Sequence, residues 1–536
     1  MPHEKQVWIQ EQIKENPCWV RDPLDHPSAD QAREMILAKY AAHVLSGKYQ
    51  PNPPKRGPFG EAEIWIKPNS VPVGIRPYRM GGDRRDIHTN LIRDCVAKGK
   101  MTPGLSSWNL PSFPVQKANG KYRLVQDFRQ LNAVTEKDAQ PLPRIIDILH
   151  RQGQHQIWSK LDLVDGYHQM PLKVEHQPYT CSSTPLGVMQ WTVLVMGLKN
   201  AGCQFQRMME WSLRELPQVD PYLDDILIGS SGATPEELVA NHLRDVLQVM
   251  ARLHELSFVC SPEKSKFFQR EVEFCGHILR DGLRSPSPGK LLPIQKWEVP
   301  TTVTALRSFL GLANYFSEYV EHYAETAAPL MAKLKLNREE GKKGSKVTVV
   351  MGPVELEAFE ALKRKLAQSL SLHQPLLDKP FVLRTDASDT AIGAQLMQEI
   401  GGKLRTVALY SRKLTGSQLN WAVKEKEMYA VIAALNKWSG IINFQPVLVQ
   451  TDHRALEHWV TENVETPSGP RGRRGRWHEI LSQFDLTIEY LPGTENLVAD
   501  AMSRWAYPAS SSRQDVSWHG TKEAKEEVDE QRAKEF

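Results

Sequence analysis

Apolar positions recur along this chain with two periods, and the switching between them predicts a mixture of helices and strands. Leu243, Val246, Leu247, Met250 and Leu253 follow a spacing of three and four, which predicts a helix over Glu236–Leu256. Shorter stretches predict helices over Ala29–Leu45, Asp83–Lys100, Pro143–Leu149 and Ala201–Leu213. Ser112–Val115 and Tyr122–Asp127 are strand-like and flank Ala118-Asn119-Gly120, a hairpin signal. Further strands are predicted over Trp158–Leu163, Gln190–Val195 and Ile226–Ile228. Pro68, Pro72 and Pro77 force extended backbone between Ile64 and Arg79. A second mixed block begins near Phe381, with strands over Phe381–Asp386, Ile392–Met397, Val447–Asp452 and Leu486–Tyr490 and a helix over Glu425–Leu435.

Between the blocks, Lys333–Lys346 is rich in Lys, Glu and Gly and reads as a solvated linker. Residues 1–63 are polar, become proline-rich toward their end and read as a leader, while Ser510–Phe536 reads as a flexible tail. A length of 536 residues exceeds one ordinary core and predicts several domains. No apolar run approaches membrane-spanning length, so no membrane partner is expected. The net charge of +4 is only mildly basic, so contact with nucleic acid depends on where the charges sit. Cys18, Cys95, Cys181, Cys203, Cys260 and Cys275 lack paired metal-ligand spacing and read as thiols of a reducing, intracellular compartment.

Two sets of carboxylates change the picture from architecture to chemistry. In Pro221-Tyr-Leu-Asp-Asp-Ile-Leu-Ile228, Asp224 and Asp225 would sit at a hairpin turn anchored by the apolar run. Asp162, in Lys160-Leu-Asp-Leu-Val-Asp-Gly-Tyr167, lies at another strand end. Carboxylates converging from neighbouring strand ends suit Mg²⁺, a hard cation that takes oxygen ligands, and a two-metal site serves in-line phosphoryl transfer. An Asp-Asp pair also makes turns without any chemistry. In the second block Asp386 ends a strand, Glu427 opens a helix, Asp452 ends another strand, and Asp500 lies in Asn496-Leu-Val-Ala-Asp-Ala-Met-Ser-Arg504. One acid each from strand, helix, strand and helix is the pattern of a ribonuclease H fold, in which paired Mg²⁺ ions activate water against a phosphodiester.

Between Ile64 and Arg504 the chain resembles the reverse transcriptases of gypsy-type long-terminal-repeat retroelements. The resemblance is carried by Gly120-Lys-Tyr-Arg-Leu-Val-Gln-Asp-Phe-Arg-Gln-Leu-Asn132, Pro141-Leu-Pro-Arg144, Leu161–Pro171 and Met196-Gly-Leu-Lys-Asn-Ala201, followed by Tyr222–Ser230, Phe274-Cys-Gly-His277 and Leu306-Arg-Ser-Phe-Leu-Gly-Leu-Ala-Asn-Tyr315. It implies a multidomain α+β and α/β chain: a right-hand polymerase of fingers, palm and thumb, followed by an RNase H-like mixed-sheet domain. The implied bounds are a leader at 1–63, fingers and palm at 64–232, the end of the palm and the thumb at 233–330, a connection or tether at 331–378, RNase H at 379–507 and a tail at 508–536.

The implied activities are RNA- and DNA-directed DNA synthesis with dNTPs and cleavage of RNA in RNA/DNA hybrids. Partners would be an RNA template and a DNA primer, with two Mg²⁺ ions per site (Mn²⁺ substituting), in a monomer or a substrate-induced homodimer. The rival reading is a non-catalytic, polymerase-like subunit of a dimer.

Residue by residue, Asp162, Asp224 and Asp225 look like the palm's metal-binding triad, with Tyr222 leading the motif. Lys117 and Arg123 match the fingers residues that grip a triphosphate, and Tyr167 the gate under the sugar that excludes a 2′-hydroxyl. Met196 falls beside the nucleotide pocket, and Phe274, Gly276 and His277 in the primer grip. Met196, Gly202 and Cys275 depart from the commoner family residues. Asp386, Glu427, Asp452 and Asp500 look like the nuclease quartet, with Tyr490 where many relatives carry a histidine. Arg471-Gly-Arg-Arg-Gly-Arg476 reads as a phosphate-tracking loop. The resemblance places the protein in cytoplasmic virus-like particles and, with the element, in the nucleus.

Overall fold

The structure, a computed structural model, describes residues 27–49, 56–117, 120–320, 323–339, 347–368, 371–389, 391–457, 459 and 473–492. Helix α1 (Pro27–Tyr40) lays Ala29, Ala32, Ile36 and Tyr40, spaced by three and four, into the largest core. Arg56 is 2% exposed. Its guanidinium lies 3.7 Å over the Phe258 ring and donates to the Leu256 and Ser257 carbonyls at 2.9 and 3.0 Å, and to that of Gln169. The described part of the expected leader is therefore a piece of that core. Its polar average composition concealed one buried helix face.

Helix α2 (Gly82–Ala97) leads into β1 (Met101–Pro103), and β2 (Ser112–Gln116) and β3 (Tyr122–Gln126) make the expected hairpin. After α3 (Arg129–Val134) and α4 (Ile145–Gln152) comes β4 (Ile157–Asp162), the centre of an antiparallel sheet. Strands β5 (Ser182–Thr184) and β6 (Gly187–Trp191) pair with each other, and β6 with β1. The strand expected at Gln190–Val195 thus ends early. Beyond Trp191 the run is buried but bonded loop to loop, with Leu194 N–H on the Met170 carbonyl at 2.8 Å.

Helix α5 (Ala201–Leu213), β7 (Val219–Tyr222), β8 (Asp225–Ser230), α6 (Pro235–Glu255) and β9 (Lys266–Gln269) complete this unit, with strand order β7-β8-β4-β9. Phe205, Met208 and Met209 of α5 and Val246, Val249, Met250 and Leu253 of α6 share a core with Leu161, Ile226 and Ile228. Thr234 caps α6 by accepting the Glu237 N–H.

A second sheet runs β10 (Glu271–Phe274), β11 (His277–Arg280) and β12 (Leu283–Pro286). Helices α7 (Pro288–Gln295), α8 (Val303–Tyr315), α9 (Tyr323–Glu339) and α10 (Pro353–Ala367) follow, and β13 (Leu372–His373) returns as the edge partner of β12. Leu306, Phe309, Leu330, Phe359, Leu362 and Leu366 form one buried cluster. The stretch expected as a tether therefore supplies a packed helix and an edge strand. The linker expected at Lys333–Lys346 begins inside α9, and 340–346 lies outside the described residues.

The last unit holds β14 (Phe381–Ala387), β15 (Ala391–Ile400), β16 (Lys403–Lys413), α11 (Val423–Ile442), β17 (Val447–Thr451), α12 (Arg473–Leu481) and β18 (Leu486–Tyr490). Its sheet order is β16-β15-β14-β17-β18, with β17 parallel to both neighbours. Arg473–Leu481 is helical with Trp477 buried, which shortens the expected phosphate-tracking loop.

Arg284 of β12 ties these parts together. Its side chain has no exposed surface and donates to Glu318 Oε2 at 3.2 Å and to the Val407 carbonyl of β16 at 3.1 Å. Glu318 Oε1 lies 3.1 Å from Lys437 Nζ of α11. Between the sheets, Gln398 brackets the chain by accepting Leu376 N–H at 2.7 Å and donating to the Leu376 and Lys379 carbonyls. Among the described residues no helix is long and apolar enough to cross a membrane.

Candidate active sites

Antiparallel pairing of β4 with β8 sets Asp162 directly opposite Asp225. Tyr222 pairs with Asp225 across β7 and β8, leaving Leu223 and Asp224 as a two-residue turn. Leu223 has φ 54°, a position that favours glycine and costs leucine on the order of 1–2 kcal/mol. Its amide donates to Gln206 Oε1 at 2.7 Å and the Asp224 carbonyl accepts Leu163 N–H at 2.9 Å, so the strained corner is fastened from two sides. A Cβ on Gly166 would sit 2.8 Å from Asp224 Cβ, so only glycine lets the next turn approach this corner.

Burial, with the charges of Asp225 and Asp162, raises the Asp224 carboxyl above its ordinary range. Lys264 Nζ lies 3.0 Å from Asp162 Oδ1, and Lys160 Nζ 3.0 Å from Asp225 Oδ1. Neither lysine was singled out from the sequence. Lys160 is two residues before Asp162 and so shares its strand face, a signal that was there to read. Lys264 arrives from a distant loop and had none. A cleft of ≈ 570 Å³ opens here, lined among others by Asp162, Asp225, Tyr222, Cys275 and Gly276.

The far side of that cleft is the β10–β11 hairpin, where Phe274 pairs with His277. Cys275 and Gly276 have φ 48° and 85°, which fits the primed two-residue turn that matches strand twist. Phe274 is fully buried beside Trp158 and Tyr222. His277 reaches Tyr319 Oη at 2.8 Å and Tyr315 Oη at 3.1 Å, and Tyr315 Oη donates to the Cys275 carbonyl at 2.6 Å. Burial, and then Arg284, push His277 down to about 4, so it is a neutral bridge between hairpin and helices.

Tyr167 is half-buried on a short 3-10 turn, Gly166–Gln169, against Phe205 at 5.2 Å between ring centroids. Gly202 faces its hydroxyl, at 3.6 Å from a built Cβ. Met196 is 64% exposed on the loop before α5, and Lys117 and Arg123 are exposed at the β2–β3 hairpin.

In the last unit, parallel pairing of Thr385 with Thr451 brings Asp386 and Asp452 to the same level of β14 and β17. Glu427 comes from the first turns of α11, and its Oε1 accepts Ala387 N–H at 3.0 Å. Carboxylate oxygens of Asp386, Glu427 and Asp452 lie within 4.8 Å of one another, the first two residues being buried. Three acids so close in a partly buried place repel one another, and a hard divalent cation is the partner their oxygens suit. Tyr490 pairs with Thr451 beside this group but is 37% exposed, its amide donating to Glu457 Oε1 at 3.2 Å. Asp500 lies outside the described residues.

Residues 115–279 match the family described as reverse transcriptase (RNA-dependent DNA polymerase), and 376–484 that described as the RNase H-like domain found in reverse transcriptase. The chain is 34% identical over 448 residues to the retrovirus-related Pol polyprotein from transposon opus of Drosophila melanogaster, covering 82% of this chain and 43% of that relative. It is 33% identical over 456 residues to that from transposon gypsy of the same organism, covering 81% and 42%. It therefore spans less than half the length of these relatives.

The fold is similar to that of a foamy viral protease-reverse transcriptase solved in complex with double-stranded DNA, with a TM-score of 0.72 at 21% identity over 92% of this chain and 82% of that one. It is also similar to the foamy viral enzyme in complex with an RNA/DNA hybrid, at TM-score 0.70 and 20% identity over 97% and 66%. A reverse transcriptase domain followed by an RNase H-like domain, in this order, makes the chain a member of the gypsy-type, retrovirus-related Pol polyprotein family.

Proposed function

We propose that this chain extends a DNA primer 3′-OH with dNTPs on RNA or DNA templates and cleaves the RNA of the resulting hybrid. The polymerase reading is carried by the cross-strand pair Asp162 and Asp225 beside the Asp224 corner, at a cleft that runs to the Cys275-Gly276 turn. That arrangement suits a primer end held on one side and nucleotide phosphates on the other. Support for the nuclease reading is the cluster of Asp386, Glu427 and Asp452, with Asp500 as the fourth acid.

All these donors are carboxylates, which fit Mg²⁺, with Mn²⁺ as a substitute. Bound in pairs, such ions stabilise the attacking and leaving oxygens of an in-line displacement. Asp162, Asp224 and Asp225 would hold them in the palm, and Asp386, Glu427, Asp452 and Asp500 in the nuclease. Lys117 and Arg123 would take the triphosphate charge, Tyr167 would pack under the sugar, and Met196 would border the nucleotide. Phe274, Gly276 and His277 would aim the primer end from the hairpin, and Tyr222 packs between that hairpin and the acids. Tyr490 would help position the hybrid beside Asp452.

Duplex would be recognised through backbone charge and A-like shape, because neither site is built to read base edges. The working protein is a monomer or a dimer formed on substrate, acting in a cytoplasmic virus-like particle and, with the element, in the nucleus. Fingers and palm correspond to 64–232 and the end of the palm with the thumb to 233–330. RNase H corresponds to 379–507.

The test is primer extension on an RNA template with Mg²⁺ and dNTPs, with the RNA strand labelled. Extended DNA together with shortened RNA is the expected result. Failure of both on a folded protein overturns the reading in favour of a non-catalytic subunit.

A further inference from the structure

The turn that carries Tyr167 is held differently at its two ends. At its far end Gln169 donates to the Val164 and Val259 carbonyls at 2.8 and 2.7 Å and accepts Val259 N–H at 2.9 Å, while its own carbonyl accepts from Arg56. These contacts lie inside the core. At the near end the backbone is fastened too, Val164 N–H donating to the Val259 carbonyl at 3.0 Å and the Asp165 carbonyl accepting His168 N–H at 2.7 Å, and the Asp165 side chain adds an ion pair. Asp165 has left-handed backbone, φ 46° and ψ 44°, and its Oδ2 lies 2.8 Å from Lys100 Nζ.

Lys100 is 6% exposed, while the Asp165 side chain is 53% exposed, so a buried ammonium is capped from outside by one carboxylate. The same ammonium lies 5.2 Å from the Tyr49 ring centroid. Its backbone is fixed as well: Lys100 N–H donates to the Cys95 carbonyl at 2.8 Å, and its carbonyl accepts Thr192 N–H at 3.0 Å. Lys100 is thus an immobile anchor between α2 and the β6 loop. Asp165, the residue that starts the 3-10 turn, is the one part of that anchor on the movable side. A left-handed residue at the root of a short turn decides where the next side chains point, because its two dihedrals act as their pivot.

We propose that the Lys100–Asp165 pair is a positioning device for Tyr167 and thereby sets how strongly the polymerase site refuses a ribose 2′-hydroxyl. The proposal rests on the reading of Tyr167 as the surface under the sugar. An aromatic ring rejects one extra hydroxyl only if it cannot retreat, and the Lys100 pair is the closest charged contact that the side chain of the pivot residue makes, added to backbone bonds that fix its neighbours. Asp165→Asn keeps the tolerance for left-handed backbone and removes the charge. Lys100→Met keeps the buried stem and removes the ammonium, so it serves should Asp165→Asn, which strands a buried charge, fail to fold.

Single-turnover incorporation of a dNTP and its matching rNTP, opposite the same template base, gives the ratio of specificity constants for wild type, Asp165→Asn, Lys100→Met, the double variant and Tyr167→Val. Tyr167→Val is expected to lower the ratio on the order of 100-fold, and each single variant on the order of tenfold. The double variant should fall no further than either single one, because one interaction is removed in all three. A residue that merely supported folding would slow both nucleotides alike and leave the ratio in place. An unchanged ratio in folded Lys100→Met, with a lowered one in Tyr167→Val, overturns the positioning role while the gate stands. An unchanged ratio in Tyr167→Val removes the gate itself, and this proposal with it.

Discussion

Replacing Arg284 by methionine tests how firmly the RNase H-like unit is docked. Its side chain has no solvent exposure and supplies two hydrogen bonds, one to Glu318 and one to the Val407 carbonyl. Breaking a buried ion pair from one side costs about 3–5 kcal/mol when the surviving charge is uncompensated. Here Glu318 keeps Lys437, itself 41% exposed, at 3.1 Å, so its charge stays compensated and the cost falls below that range, to about 2 kcal/mol. The Val407 carbonyl loses its guanidinium donor, adding about 1 kcal/mol. A total near 3 kcal/mol corresponds to on the order of 100-fold faster local opening. Amide hydrogen exchange across Lys403–Lys413 and Val423–Ile442 reads that opening without assuming that a multidomain chain unfolds in one step. Arg284→Met with Glu318→Leu removes both charges and should recover much of the loss. Acceleration below about threefold in the single variant would refute the claim that Arg284 carries the docking.

Asp224→Asn should abolish DNA synthesis and leave hybrid cleavage intact in primer-extension and RNA-cleavage assays; parallel loss of both contradicts two separate sites. Asp386→Asn should do the reverse, and undiminished RNA cleavage would remove that acid from the site. Phe309 is fully buried, 4.6 Å from Phe359 between centroids, so Phe309→Ala should cost about 3–5 kcal/mol in the helical cluster, read by hydrogen exchange of α8 and α10. His277 has a folded value pushed down to about 4, below its ordinary 6.5, so the unfolded chain takes up a proton first on acidification. Stability from this group is complete above pH 6.5 and is lost as pH falls toward 4; His277→Gln should flatten that part of an unfolding-versus-pH curve.

Where local spacing alone decides an element, the sequence was legible to the residue. Ala201–Leu213 and Leu486–Tyr490 form with the predicted bounds because the first has a helical and the second a strand period. Gln190–Val195 shows the limit, since a buried loop and a buried strand present the same apolar run. Residues 27–49 and 353–373 were misjudged for a related reason: average polarity hides one apolar face, and only a partner surface turns that face into core. At the sites, the carboxylates among the described residues stood out because each occupies a strand end, the first turns of a helix or, for Asp224, the turn between two strands. What could not be read were contacts between distant segments, such as Lys264 on Asp162, Gln206 on the Leu223 amide and Gly166 against Asp224. These belong to the fold as a whole.

The short strand β13 bears on how this protein can be cut. A fragment without the RNase H-like unit, made by ending the chain after the α8–α9 helices, would strip β12 of its edge partner and leave Leu283 and Arg284 without their cross-strand pairing. The Val407 carbonyl, to which Arg284 donates, is lost with this cut as with any that removes Lys403–Lys413. Such a fragment invites edge-to-edge association and precipitation, even with its Asp162–Asp225 cleft intact. A break after Lys379 keeps the strand with the sheet it completes, so the better place to part the two units lies just before β14 and not directly after α9.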